Sequence, residues 1–344
     1  MVEIRIGDKK LGDRHPCLIS MEIGATHTGV ESAKKLLDAV AQGGADAAKF
    51  QTLNADRLMG DRSPQIEYHT PDGKRSESVY QALKRRELSP DGWREVRSYS
   101  RSLGLLFIST PSDPETIDLL VELKADAIKI AKSDINCFPL VEYAAKTGLP
   151  IILDSRERFE DVCRSFEICR QQGNANVMIM HCPSGYPAES AGIHLSVIPH
   201  IRSIFNCPVG YSDHSLGTKM NFAALGLGTD MIEKTVSPDR TTDAVEHYMS
   251  LEPGEIGAFV RDIREIEDAM GNPRIMFTSR VNPNVRRSVV AGRGIMKGET
   301  VQLKDLDFRR PGTHLPADQY ERIVGHEALH DIPEGTFLSP EDFG

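Results

Sequence analysis

The 344-residue chain has no apolar run long enough to cross a bilayer as a helix. Residues 1–16 alternate polar and apolar side chains and lack the apolar segment of a secretory leader, so a cytoplasmic, soluble protein with no membrane partner is expected. Cysteine is thin: Cys17, Cys137, Cys163, Cys169, Cys182 and Cys207 form no C-x-x-C pair. That argues against a disulfide framework or a structural zinc site and for reduced thiols. Positive charge is not in excess, with 41 Lys and Arg against 50 Asp and Glu, so a nucleic-acid partner is not expected. P-loop, H-E-x-x-H and G-x-S-x-G motifs are missing. The pair Gly292 and Gly294 lies in a β-rich tail rather than between a strand and a helix, which rejects a dinucleotide fingerprint.

What is present is an ordinary globular composition, 40% apolar and 26% charged, in a chain long enough for one large domain or two unequal ones. Short β-rich runs alternate with helical spacing from about residue 17 to 270. Strands are expected at Cys17–Gly24, Ala47–Gln51, Leu105–Thr110, Ala127–Ala131, Pro150–Asp154, Val177–Cys182, Pro208–Asp213 and Met231–Val236. Helical segments between them include Ser32–Gln42, Pro114–Leu123, Phe138–Thr147 and Glu255–Met270, several opening on Ser, Asp or Pro. Eight such units are the number that closes an α/β (β/α)8 TIM barrel, here over residues 1–271; a doubly wound open sheet is the rival. A long charged loop, Leu53 to Pro90, follows the second strand and is either a substrate loop or a surface excursion. Residues 272–286 read as a linker. Residues 287–344 read as a small β-rich domain with pieces at Ser288–Ala291, Gly298–Val301, Arg309–Thr313 and Ile332–Leu338.

In a barrel the C-terminal strand ends share one mouth. Here they carry Glu22 with His27, Lys49 with Gln51, Thr110, Lys129 with Lys132 and Asp134, and Asp154. The remaining ends carry His181 with Ser184 and Tyr186, Ser212 with Asp213 and His214, and Glu233 with Lys234. Any single one of these can be an ion pair of the scaffold. Together they suit an anionic ligand held by lysines, with carboxylates and imidazoles to bind a divalent metal or move protons.

At these strand ends the sequence resembles the sialic acid synthase family over nearly its whole length. The matching segments are Glu22-Ile-Gly with Thr-His27-Thr-Gly, Ala-Lys49-Phe-Gln51-Thr, Ser109-Thr110-Pro and Ile128-Lys129-Ile-Ala. Further on are His181-Cys-Pro-Ser-Gly-Tyr186-Pro, Gly-Tyr-Ser-Asp213-His214-Ser-Leu-Gly217, Ile232-Glu233-Lys234 and Ser250-Leu-Glu-Pro253. The tail, with Ala291-Gly-Arg and Arg309-Arg310-Pro-Gly-Thr313, resembles the antifreeze-like (SAF) domain of that family.

The resemblance implies an enzyme that condenses phosphoenolpyruvate with an N-acyl amino sugar to a 3-deoxy 2-keto sugar acid. It implies Glu22, Lys49, Lys129 and Asp213 as catalytic groups, and Gln51, Thr110, Tyr186, Glu246 and Arg310 as substrate contacts, with Lys132 and Ser184 expected as contacts at positions where the sequence departs from the family. It also implies a Mn2+ or Mg2+ cofactor on His214, and a domain-swapped homodimer in which Arg310 reaches the partner's sugar. The departures sit in the same mouth. Thr235 stands where the family has its second metal-binding histidine, Lys132 replaces a serine, and Asp154-Ser-Arg156 replaces Ser-Thr-Gly. Two alternatives stay open: a lyase on another acid donor, with Lys132 able to form a Schiff base, and a non-catalytic sugar-acid-binding protein.

Overall fold

The computed structural model describes residues 2–12, 15–156, 158–271 and 282–344. Its backbone divides into two compact units, residues 1–270 and 271–344. The linker expected over 272–286 lies outside the described residues as far as 281.

The first unit is a closed parallel barrel of eight strands: β1 (Leu18–Glu22), β2 (Ala47–Thr52), β3 (Leu106–Pro111), β4 (Ala127–Ile130), β5 (Ile151–Asp154), β6 (Val177–His181), β7 (Val209–Asp213) and β8 (Met231–Thr235). Each pairs with its neighbours in sequence, and β8 returns to β1, setting Thr235 opposite Glu22 and Glu233 opposite Ser20. A helix follows every strand: α1 (Val30–Gln42), α2 (Pro90–Ser102), α3 (Pro114–Glu122), α4 (Phe138–Lys146), α5 (Phe159–Gln171), α6 (Val197–Phe205), α7 (Lys219–Gly226) and α8 (Pro253–Met270). Local chemistry starts several of them. Asp113 caps α3 through a reciprocal capping box with Thr116, and Pro114 takes the first turn where a missing N–H costs nothing.

Because side chains alternate along a strand, the barrel sorts its residues into two cores. Ile19, Met21, Phe50, Phe107, Ile128, Ile179 and Tyr211 point outward and pack under the helices. Leu18, Ala47, Leu106, Ile108, Ala127, Ile152, Met178, Met180 and Met231 point inward and fill the lower barrel. A hairpin that the sequence reading did not expect, Ile4–Ile6 with Lys9–Leu11, adds Ile4, Ile6 and Leu11 to that inner core. The long loop after β2 carries a second unexpected hairpin, Gln65–Thr70 with Gly73–Ser78, between the short helices Ala55–Leu58 and Val79–Lys84.

The second unit holds its own apolar core, including Val289, Ala291, Ile295, Val301, Ile323, Ile332 and Leu338. Its antiparallel pair is β9 (Ser288–Ala291) with β10 (Leu306–Arg309). The expected strand at Arg309–Thr313 is therefore shifted toward the N-terminus. Gly298–Val301 and Ile332–Leu338 contribute isolated bridges, such as Thr300 with Glu327 and Ile295 with Ile332. Gly and Pro turns every few residues keep these pieces too short for a ladder. Among the described residues no helix is long and apolar enough to cross a membrane.

Candidate active site

The alternation that fills the lower barrel with aliphatic side chains continues upward with polar ones. On the inward parity above Leu18, Ala47, Ile108, Ala127, Ile152 and Met231 come Glu22, Lys49, Gln51, Thr110, Lys129, Asp154 and Glu233. These line a cavity of about 620 Å3 together with Lys132, Asp134, Arg156, Tyr186, His214, Arg86 and Glu246. Loop residues Leu53, Leu58, Met59, Ile66, Val79, Ala82 and Leu83 add an apolar wall, so the long loop after β2 belongs to the site. Gly24 is required beside it, since a Cβ there would lie 2.5 Å from the Gln51 backbone nitrogen and 2.7 Å from Glu22 Oε1.

Two lysine–glutamate pairs form the floor. Lys49 donates to Glu22 Oε2, its register neighbour, and Lys129 reaches across to Glu233 Oε1 at 2.6 Å, where Ser212 Oγ also donates at 2.8 Å. All four charged side chains are almost fully buried. Burial raises the Glu22 carboxyl above its ordinary range, with Lys49 opposing and the neighbouring Glu233 and Glu246 charges adding to it. Burial also works against ionised Glu233, but Lys129 and Lys49 outweigh it and hold this carboxyl at about 2. Among the described residues the second oxygen of each glutamate, Glu22 Oε1 and Glu233 Oε2, and the Thr110 hydroxyl have no hydrogen-bond partner. Buried polar atoms are normally paired, so this floor holds bonding capacity for a ligand.

The upper wall is built by β5 and the loops after β6, β7 and β8. Asp154 accepts from the Arg156 backbone N–H at 2.9 Å and from its Nη2 at 3.0 Å. Arg156 Nη1 lies 3.4 Å from the Pro183 carbonyl, which also accepts from His214 Nδ1 at 3.1 Å. A carbonyl can only accept, so the proton of neutral His214 sits on Nδ1 and Nε2 keeps its lone pair. Burial, then the Arg156 charge, lowers the His214 pKa. Opposite, Arg86 is 4% exposed despite its place in the charged run Lys84 to Glu87. Its Nη1 donates to Gln51 Oε1 at 3.3 Å and lies 3.9 Å from Glu246, while Nε and Nη2 have no partner among the described residues. Glu246 is held at φ 76°, a conformation that costs a non-glycine residue energy and often marks a site.

Of the residues singled out in sequence, Glu22, Lys49, Gln51, Thr110, Lys129, Lys132, Tyr186, Glu246 and His214 meet in this cavity. Asp213 does not. It lies on the outward parity of β7 with Tyr211, and accepts from Lys234 at 2.7 Å, Asn221 at 2.6 Å, the Ser215 N–H at 2.9 Å and the Ser215 and Tyr211 hydroxyls. Ser184 is exposed and outside the cavity lining, and Arg310 is an exposed residue of the second unit. Glu233 and Arg86 were not among the expected ligand contacts. Inward parity identifies Glu233, but nothing local identifies Arg86.

The donor set does not suit a divalent metal. His214 is the one imidazole on the cavity lining among the described residues, Thr235 offers no imidazole at the end of β8, and lysines engage Glu22 and Glu233. Among the described residues no three His, Cys, Asp or Glu side chains converge.

Comparison with known proteins assigns this architecture. The NeuB family model matches residues 36–274 and the SAF domain model residues 286–344. The chain belongs to the NeuB family. It is 32% identical to the N,N'-diacetyllegionaminic acid synthase of Legionella pneumophila, over 96% of each chain. It is 30% identical to the N-acetylneuraminate-9-phosphate synthase of Mus musculus, over 96% of this chain and 94% of the mouse protein. The crystal structure of the spore coat polysaccharide biosynthesis protein SpsE from Bacillus subtilis superposes with a TM-score of 0.69 at 29% identity, covering 100% of this chain and 99% of that one. Its relatives thus include proteins named as legionaminic acid and N-acetylneuraminate-9-phosphate synthases.

Proposed function

We propose that the chain condenses phosphoenolpyruvate with the aldehyde of an N-acyl amino sugar, releasing phosphate and a 3-deoxy 2-keto sugar acid. The observation that carries this reading is the floor of the cavity. Two buried lysines and an unpartnered Thr110 hydroxyl stand there beside two carboxylates, each with a free oxygen. An anionic donor suits Lys49, Lys129 and Lys132. The π electrons of its C2–C3 bond attack the aldehyde carbon, and the carbonyl electron pair moves to oxygen. C2 becomes cationic, and the carboxylates of Glu22 and Glu233 favour that charge. Water adds at C2, its proton passing toward Glu22, whose raised pKa suits it to take and return one. The C2–O bond to phosphorus then breaks, the C2 hydroxyl oxygen becomes the ketone, and its proton leaves with the phosphate.

Gln51, Tyr186 and Glu246 are assigned to the sugar's polar groups. Arg310, and with it a homodimer that shares sites between subunits, is a further part of the proposal that the family resemblance supports. The test is phosphate release from phosphoenolpyruvate with a panel of N-acyl hexosamines. Sugar-dependent release is expected, and binding of the donor with no release on any sugar would overturn the reaction. Mixing Arg310→Ala with Lys49→Ala subunits is expected to restore part of the activity; no restoration would show that each chain completes its own site.

A further inference from the structure

Resting on the synthase reading above, we propose that Arg156 supplies the positive charge that polarises the acceptor's carbonyl, so that the barrel works without a divalent metal. Arg156 lines the cavity with its side chain 13% exposed. Its guanidinium and the His214 ring donate to the same Pro183 carbonyl, so they lie no further apart than those two contacts allow. A fixed cation therefore stands beside the imidazole. Asp154 anchors it from one side through Nη2 and the guanidinium also donates to the Tyr186 hydroxyl, while among the described residues Nε has no partner and Nη1 makes a long contact with the Pro183 carbonyl. An oxygen that gains negative charge as the new carbon–carbon bond forms can take these N–H groups. The same oxygen is afterwards protonated by the proton that water sheds on adding to C2, so the step needs no co-reactant beyond water.

The geometry that favours this role disfavours a metal. A divalent cation brought to His214 Nε2 would meet the Arg156 charge, with Glu246 opposing it, and the end of β8, where the family resemblance expects a second imidazole, carries Thr235, which is buried and outside the cavity lining. Arg156, in the loop after β5, and Thr235, at the end of β8, thus act in the same direction. One adds a cation to the upper wall, and the other withholds a ligand for a second.

Titration with Mn2+, followed by calorimetry and by the Mn2+ paramagnetic signal, tests this without any substrate. The wild-type protein should bind Mn2+ no more tightly than His214→Ala. The double variant Arg156→Gly/Thr235→His should gain a site at least 100-fold tighter that disappears when His214→Ala is added. A micromolar wild-type site that depends on His214 would overturn the proposal. Circular dichroism checks that the double variant folds; should it not, wild type against His214→Ala still decides. With an accepted sugar, phosphate release should survive a chelator, and Arg156→Met should lower kcat at least 100-fold with Arg156→Lys recovering part of it. Loss of turnover in chelator with recovery on Mn2+ would overturn the proposal, as would an Arg156→Met that changes KM alone. If no sugar in the panel is turned over, the synthase reading fails, and the Mn2+ titration is read on its own terms.

Discussion

The two sides of the barrel wall each bury lysine–carboxylate pairs, and they treat them differently. Behind β7 and β8, Asp213 is saturated and Lys234 is held at two of its three donors. Asp213 takes five hydrogen bonds from four residues, and Lys234 spends another on the Ser215 carbonyl. Inside the barrel, Glu22 and Glu233 each give one oxygen to a lysine and keep the other unpartnered. A buried pair is worth having only when its remaining lone pairs are satisfied, so the outer pair reads as scaffold and the inner pairs as a site awaiting a ligand. Type and position at a strand end do not separate the two; hydrogen-bond saturation does.

The largest effect that sharpens this contrast is on the outer pair. Lys234→Met leaves a buried carboxylate without its counter-ion and should cost about 3–5 kcal/mol of stability. Urea denaturation measures it, and the folded fraction should keep kcat/KM within about threefold of wild type. A stable but inactive Lys234→Met would place this pair in the site after all. Next come Lys49→Met and Lys129→Met, each expected to lower kcat/KM for phosphoenolpyruvate about 100-fold, or about 2.7 kcal/mol of transition-state binding. Kinetics unchanged by either substitution would remove that lysine from the donor's pocket and erase the distinction drawn here.

Much of this was legible in sequence because barrel strands are short, apolar and regularly spaced, and all eight were anticipated within a residue or two of their ends. The inward set Glu22, Lys49, Gln51, Thr110 and Lys129 follows from the same alternation. Asp213 is placed at the mouth by its strand-end position and by motif, although its parity with Val209 and Tyr211 points it the other way. The N-terminal hairpin was illegible for a simple reason: three-residue strands are too brief for a period to show. The loop hairpin did carry a signal, the Pro71-Asp72-Gly73 turn between its strands. Lys129 with Glu233 joins residues 104 positions apart, a contact made by barrel closure rather than by any local pattern. Arg86 hides in a charged run that reads as solvated, and only the folded loop shows it buried.

The smallest effect is that of Arg86→Gln, read against an acid window set by two imidazoles that burial and the Arg86 charge hold neutral, with Glu246 opposing at His247. His27, flanked by Phe50 and Trp93 with both ring nitrogens unpartnered, is pushed down to about 4 by burial and then by the Arg86 charge. His247, on the Ser237 hydroxyl, is pushed down to about 4 by burial, then Arg86 and Arg85. Both are neutral when folded, whereas unfolded they take up protons near 6.5. Stability is therefore fully present above pH 6.5 and falls toward pH 4, by about 1 kcal/mol per pH unit for each imidazole. Urea midpoints at pH 7, 6 and 5 should decline in that order; a flat series would show that neither ring is held neutral by the fold. Arg86→Gln removes the charge and leaves the burial. In that variant the NMR titrations of both rings should move upward together and the decline should shallow, whereas a shift of one ring alone would place Arg86 beside that histidine only.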